Sequence, residues 1–214
     1  QEAIRVAQRV LRENAMEVFK INGKSRGIAY LDVLQKPGFL PDWWQLHKSA
    51  EGLVRNWQVI GPFAYGTGLE EIYPPEKELK FDAPYSSANG QVKWQKTDTD
   101  ESGYLNFLDA FYQHPEENPA DLAAIGYAYV SVESPDDRNI KLTLGSNDGA
   151  KVWVNNQVIY NEHVGRGAVA DQVFLEAHLE KGLNHILVKV ENLGSKWGLY
   201  VRLVDPDNEL VVKE

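Results

Sequence analysis

Residues 145–160 read Gly145-Ser146-Asn147-Asp148-Gly149-Ala150-Lys151-Val152-Trp153-Val154-Asn155-Asn156-Gln157-Val158-Ile159-Tyr160, and the fold is decided there. Val152-Trp153-Val154 and Gln157 to Tyr160 flank Asn155-Asn156. Two adjacent asparagines accept the positive φ angles that a tight two-residue turn demands, so the spacing predicts an antiparallel β-hairpin. A short polar loop turning at Gly149 leads into it. Strand alternation puts Trp153 on the face opposite Val152 and Val154, so either the indole or the two valines face the core.

The same period-two pattern extends outward in both directions. Downstream, Asn184 to Glu191 alternates through Ile186, Val188 and Val190, and two strands near Leu199 to Val204 and Leu210 to Val212 flank Asp205-Pro206-Asp207-Asn208. Upstream lie Ile140 to Leu144, Ile125 to Val132, Val92 to Thr97, and Trp57 to Ile60, which Gly61-Pro62 stops. Residues 61–91 and 98–121 read as long polar loops, and Tyr104, Leu105, Leu108 and Phe111 fit either one helical turn or a loose strand. Short strands, long loops and no alternating helices predict a mainly β fold, an antiparallel jelly-roll β-sandwich over residues 51–214. Residues 1–50 read differently. Ile4, Ala7, Leu11 and Val18 recur at helical spacing, Asn22-Gly23 is a stop, and a shorter helical stretch runs from Ile28 to Leu34. This predicts a helical N-terminal segment and linker, with Trp43-Trp44 in a stiff aromatic connector.

Composition narrows the function. The chain has 214 residues, 43% of them hydrophobic and 25% charged, which is ordinary for a globular protein. The formal net charge of −9 is uneven: residues 1–50 carry 8 basic and 5 acidic side chains, and residues 51–214 carry 14 and 26. A body that acidic repels phosphate backbones, so nucleic acid is not an expected partner. No apolar run approaches the ~20 residues of a membrane span. Without cysteine there are no disulfides, thiolate metal sites or cysteine nucleophiles. A chain that begins at Gln1 is expected to be part of a longer multidomain protein.

No nucleophile elbow, phosphate-binding glycine loop or His-Glu-x-x-His motif is present, and the five histidines are never paired at metal-ligand spacing. The expectation is a chain without catalytic activity. Ser146, Asn147 and Asp148 offer oxygen atoms that suit Ca²⁺ or sugar hydroxyls, and equally suit capping of their own turn. Sugar recognition needs an aromatic face beside polar side chains. Trp197, after the turn formers Asn192 to Lys196, is either such a platform or a plug closing the sandwich end. Tyr104, after Ser102-Gly103, is a second candidate platform. Arg166, between Gly165 and Gly167, either presents its fork to a ligand or pairs with Asp171, and His163 is expected to face the Asn147-Asp148 loop.

The stretch from Ser146 to Asn156 resembles the Ser-x-Asp-Asp-Gly-x-x-Val-Trp-hydrophobic-Asn-Gly signature of lectin-like β-sandwiches. These are the protective-antigen-type domain and the galactose-binding-like sandwich attached to bacterial glycoside hydrolases. Leu179 to Asn192 and Trp197 to Leu203 resemble their later strands, and Asn56 to Phe63 resembles their opening. The resemblance covers residues 125–212 and leaves out residues 1–50. It implies a non-catalytic carbohydrate-binding module of a secreted bacterial polysaccharide-degrading system, extracellular or periplasmic, that binds a polysaccharide or glycan through loops at one end of the sandwich. Ligand-binding residues would be Trp197, Asn147, Asp148, Arg166, His163 and Tyr104. No cofactor is implied beyond a structural Ca²⁺, with Asp148 as its ligand if it is bound. Asn147 stands where such lectins carry the first of two Ca²⁺-coordinating aspartates. The alternatives are a structural or protein-docking module of a large protein, and an accessory domain of a glycoside hydrolase or lyase.

Overall fold

The computed structural model describes residues 52–87, 90–112, 123–205 and 207–213; the helical segment and linker expected over residues 1–50 lie outside them. The hairpin forms as the asparagine pair dictates. β8 (Ala150–Val154) and β9 (Gln157–Glu162) are joined through Asn155 and Asn156 at φ 49° and 67°. Asn155 is held from behind, its side-chain oxygen accepting the His185 N–H at 2.9 Å.

The remaining strands are β1 (Asn56–Ala64), β2 (Tyr85–Ser87), β3 (Gly90–Val92), β4 (Gln95–Asp98), β5 (Leu105–Asn106), β6 (Ala124–Ser134), β7 (Arg138–Asn147), β10 (Val173–Leu179), β11 (Gly182–Asn192), β12 (Gly198–Val204) and β13 (Val211–Lys213). Two short helices, α1 (Pro74–Lys77) and α2 (Phe107–Phe111), and a single 3₁₀ turn at Gly68–Glu70 complete the described elements. The stretch from Tyr104 to Phe111 is thus both a strand and a helical turn: Asn106 ends β5 and its side chain accepts the Leu108 N–H, starting α2.

All pairings are antiparallel. One sheet runs β4-β1-β6-β11-β8-β9, with β13 also on β6; the facing sheet runs β10-β7-β12-β5. From β6 onward the chain crosses between sheets at nearly every connection, the winding of a jelly roll. Val130, Val152, Val188 and Val190 on one sheet meet Leu142, Leu144, Val201 and Leu203 on the other in the main core. In the hairpin the valines face this core, and Trp153 points to the opposite face with the Lys151 ammonium 5.2 Å over its ring.

The outer face of the larger sheet is also covered. Ile60, Phe63, Ile125, Tyr127, Tyr129 and Leu187 point outward and join Tyr85 and Trp94 in a second core, packed by Tyr65, Tyr73, Leu79 and Phe81. Residues 65–85, inside the stretch 61–91 read from the sequence as a polar loop, therefore form a cover over β6 and β11. Lys189 fastens it. This buried side chain projects outward from β11 and bonds the carbonyls of Leu69 (2.9 Å) and Glu71 (2.5 Å) and the Glu76 carboxylate (3.0 Å). The Tyr73 ring lies 5.1 Å from its ammonium. Burial holds the Lys189 amine below its ordinary pKa, although the Glu76 charge opposes that shift.

Candidate functional site

Four of the expected residues meet at the end of the sandwich where β7 passes into β8. Asp148 is buried and works as a pin. Its Oδ1 accepts the Arg166 N–H at 2.9 Å and its Oδ2 accepts the Leu193 N–H at 2.8 Å, so one carboxylate fixes two loops. Gly149 beside it is obligatory, because a Cβ there would stand 2.1 Å from Glu191 Oε1. The Asn147–Asp148 peptide is cis. The Arg166 guanidinium folds back on the same turn, donating to Ser146 Oγ at 2.8 Å and to Tyr160 Oη at 3.2 Å. It does not pair with Asp171. That carboxylate belongs to the other sheet, where it pairs with the buried Arg202 at 2.9 Å and accepts the Thr143 hydroxyl.

His163 continues the cluster on the outer face of the larger sheet. Its Nδ1 lies 2.7 Å from Glu191 Oε1, and the Tyr65 hydroxyl donates to Glu191 Oε2 at 3.0 Å. Glu191 is wholly buried, whereas the His163 side chain is 66% exposed. A sequestered carboxylate thus orients two groups that reach solvent. Burial, and then the Glu191 carboxylate, push the Tyr65 phenol up to about 12. Tyr65 and His163, with Thr67, Leu69, Glu70 and Asn161, line a cavity of about 280 Å³. Asn161 donates its amide to Glu70 Oε1 at 3.1 Å across it. Hydroxyl, amide, carboxylate and imidazole are thereby arrayed around one opening, a donor-and-acceptor set that suits a polyhydroxylated ligand. Asn147 does not line the cavity; its buried Oδ1, at the end of β7, has no hydrogen-bond partner.

The two expected platforms are placed differently. Trp197 is fully buried, boxed by Phe107 and Phe111 at ring distances of 5.1 and 5.3 Å, and its indole N–H donates to the Val190 carbonyl. It is the plug and has no face for a sugar. The space it fills exists because Gly126 lacks a Cβ, which would meet its ring at 2.8 Å. Tyr104 lies over Gly198, which pairs with Asn147 in register, and its ring is 5.1 Å from that of Tyr200. Burial, chiefly, and the charges of Asp100, Asp109 and Asp148 raise its pKa. It is half-buried beside the site, outside the cavity.

Tyr65, Thr67, Glu70, Asn161 and Glu191 were not among the expected residues. They come from the segment after β1, the 3₁₀ turn that follows it, β9 and β11, and no local motif joins them. The one signal in the sequence is Glu191, which with Lys189 places charge at alternate positions at the end of the apolar run Ile186 to Val190.

Ca²⁺ takes six to eight oxygen ligands. Here both Asp148 oxygens already accept backbone N–H groups, a guanidinium shares the turn, and no cluster of three or more His, Asp or Glu side chains converges among the described residues. That donor set does not fit a calcium site.

No family model and no curated protein matches the chain. Among solved structures it is similar to a β-glucosidase from Kluyveromyces marxianus (13% identity, TM-score 0.43, covering 72% of this chain and 17% of that one). It is also similar to a PA14 sugar-binding domain from an RTX adhesin (13%, 0.41, 75% and 96%). A family 35 carbohydrate binding module from Clostridium thermocellum aligns more briefly (17%, 0.30, 38% and 71%). Likeness this remote assigns neither a family nor a ligand.

Proposed function

We propose that the sandwich is a non-catalytic carbohydrate-binding module that takes an uncharged polysaccharide or glycan into the Tyr65–His163 cavity, in an extracellular or periplasmic setting. The observation that carries this reading is the cavity, lined by polar side chains of which Tyr65 and His163 are held by the buried Glu191 carboxylate. A sugar-binding domain and a carbohydrate binding module stand among its remote structural neighbours. Among the described residues that line the cavity Glu70 is the one carboxylate, whereas glycoside hydrolysis uses a facing pair. Recognition runs through side chains, with no metal bridge.

A single shallow site of this kind binds in the micromolar to millimolar range. On an array of neutral glycans the protein is expected to give discrete hits, and Asn161→Ala and His163→Ala to lower affinity about tenfold without moving the melting temperature. Chelation with EDTA is expected to leave binding intact. Silence across the array together with self-association would favour the docking alternative instead.

A further inference from the structure

A second cleft, of about 520 Å³, lies between the Gly61-Pro62 bulge of β1, the β3–β4 segment and α2, and shares no lining residue with the first cavity. Its volume falls within the range of small-ligand sites. Pro62, Val92 and Phe111 supply apolar surface. Gly61 makes room for the phenyl ring, since a Cβ there would stand 2.9 Å from Phe111 Cε2. The Gln95 amide donates to the carbonyl of Ala110, tying β4 to α2 along one wall.

Trp94 also lines this cleft. Its indole is packed by Phe81 and Tyr129 at 5.3 and 6.2 Å, yet its buried N–H has no acceptor, one of two such side-chain atoms among the described residues. A buried donor left unmet is unfavourable until something accepts from it. Lys93 stands beside it, and among the described residues lining the cleft there is no carboxylate. The body as a whole repels anions, so a cleft whose described lining offers one cation and an unmet donor without a carboxylate is a local exception where negative charge is favoured.

We propose that this cleft is a second binding site, for a sugar ring bearing an anionic oxygen group, either a sulfate ester or a carboxylate. The anion accepts from the Trp94 indole and the Lys93 ammonium while the apolar face of the ring lies on Pro62 and Phe111. The assignment to a sugar rests on the carbohydrate reading above; the preference for an anion rests on the cleft alone.

Titration calorimetry of the full chain tests it with three galactose-based oligosaccharides of equal length: sulfated, uronate and uncharged. One of the two charged probes is expected to bind at least tenfold more tightly than the uncharged one, and which does so identifies the anion. Trp94→Phe keeps a ring in the aromatic cluster and removes only the N–H, and about tenfold of that affinity should go with it. Lys93→Gln should bring the charged probe down to the uncharged level, and His163→Ala should leave it unchanged. Lys93 is exposed, so its variant decides the matter even if Trp94→Phe disturbs packing. The proposal is overturned if neither charged probe exceeds the uncharged one, if Lys93→Gln has no effect, or if binding of the charged probe disappears with His163→Ala.

Discussion

Trp197 and Asp148 both occupy positions where the sequence admits two roles, and the surroundings choose between them. Behind a run of turn formers an indole can face solvent or close the sandwich. What closes it here is Phe107 and Phe111, some ninety residues upstream, and the gap at Gly126. None of these is visible in the residues around position 197. Removing a fully buried indole leaves a cavity, so Trp197→Ala is expected to cost about 3–5 kcal/mol. Chemical denaturation would read this directly, and an unchanged unfolding midpoint would return Trp197 to the surface. Asp148 was more legible, because the turn chemistry of Ser146-Asn147-Asp148-Gly149 is local and Gly149 marks a close approach. Its partners, the backbone of Arg166 and Leu193, were not visible in the sequence.

Strands declare themselves by alternation, and β6 to β9 and β11 to β13 are readable for that reason, whereas β10 (Val173–Leu179) is not among the strands read from the sequence. The cover formed by residues 65–85 has no period: Tyr65, Tyr73, Leu79, Phe81 and Tyr85 are irregularly spaced, so the segment reads as a polar loop although it supplies these five side chains to the second core. Charged Lys189 and Glu191 alternate outward from β11 as solvent-facing residues would, and the cover buries both. Lys189→Met leaves the Glu76 carboxylate and two carbonyls without their cation. Breaking a buried pair in this way is expected to cost about 3 kcal/mol or more. Amide exchange over residues 68–78 should accelerate more than in the central strands; uniform acceleration would mean that Lys189 does not act as a local fastener.

Across the molecule, buried phenols dominate the response to alkali. Burial is the leading cause that pushes Tyr65, Tyr73 and Tyr160 up to about 12 from 10.0, and it raises Tyr104 and Tyr127 as well. A raised folded-state pKa means that the native form holds its proton longer than the unfolded chain. That stabilisation is complete below pH 10 and is lost as pH rises through about 12. Lys189, depressed from 10.5, acts in the opposite sense, since the unfolded chain holds its proton longer and stability rises with pH up to that value. Burial raises Tyr112 and Tyr129 too, and one amine against seven phenols leaves a net loss. The guanidinium midpoint should fall between pH 10 and 12, and a midpoint that climbs there would contradict it.

The shared edge of β6 has a consequence for how the domain is carried. Gln58 of β1 pairs with Tyr129 and Lys213 of β13 pairs with Ser131, so the chain joins and leaves the sandwich two residues apart along one strand. Ala64 and Asn192 both pair with Ala124 at the opposite pole, next to Glu191 and the cavity. The first and last described strands thus start and stop near one pole of β6, and the residues around the cavity gather at the other. Anything joined to the sandwich through Asn56 or Lys213 would set out from the pole away from Glu191, which leaves the cavity's own residues clear of the points of attachment.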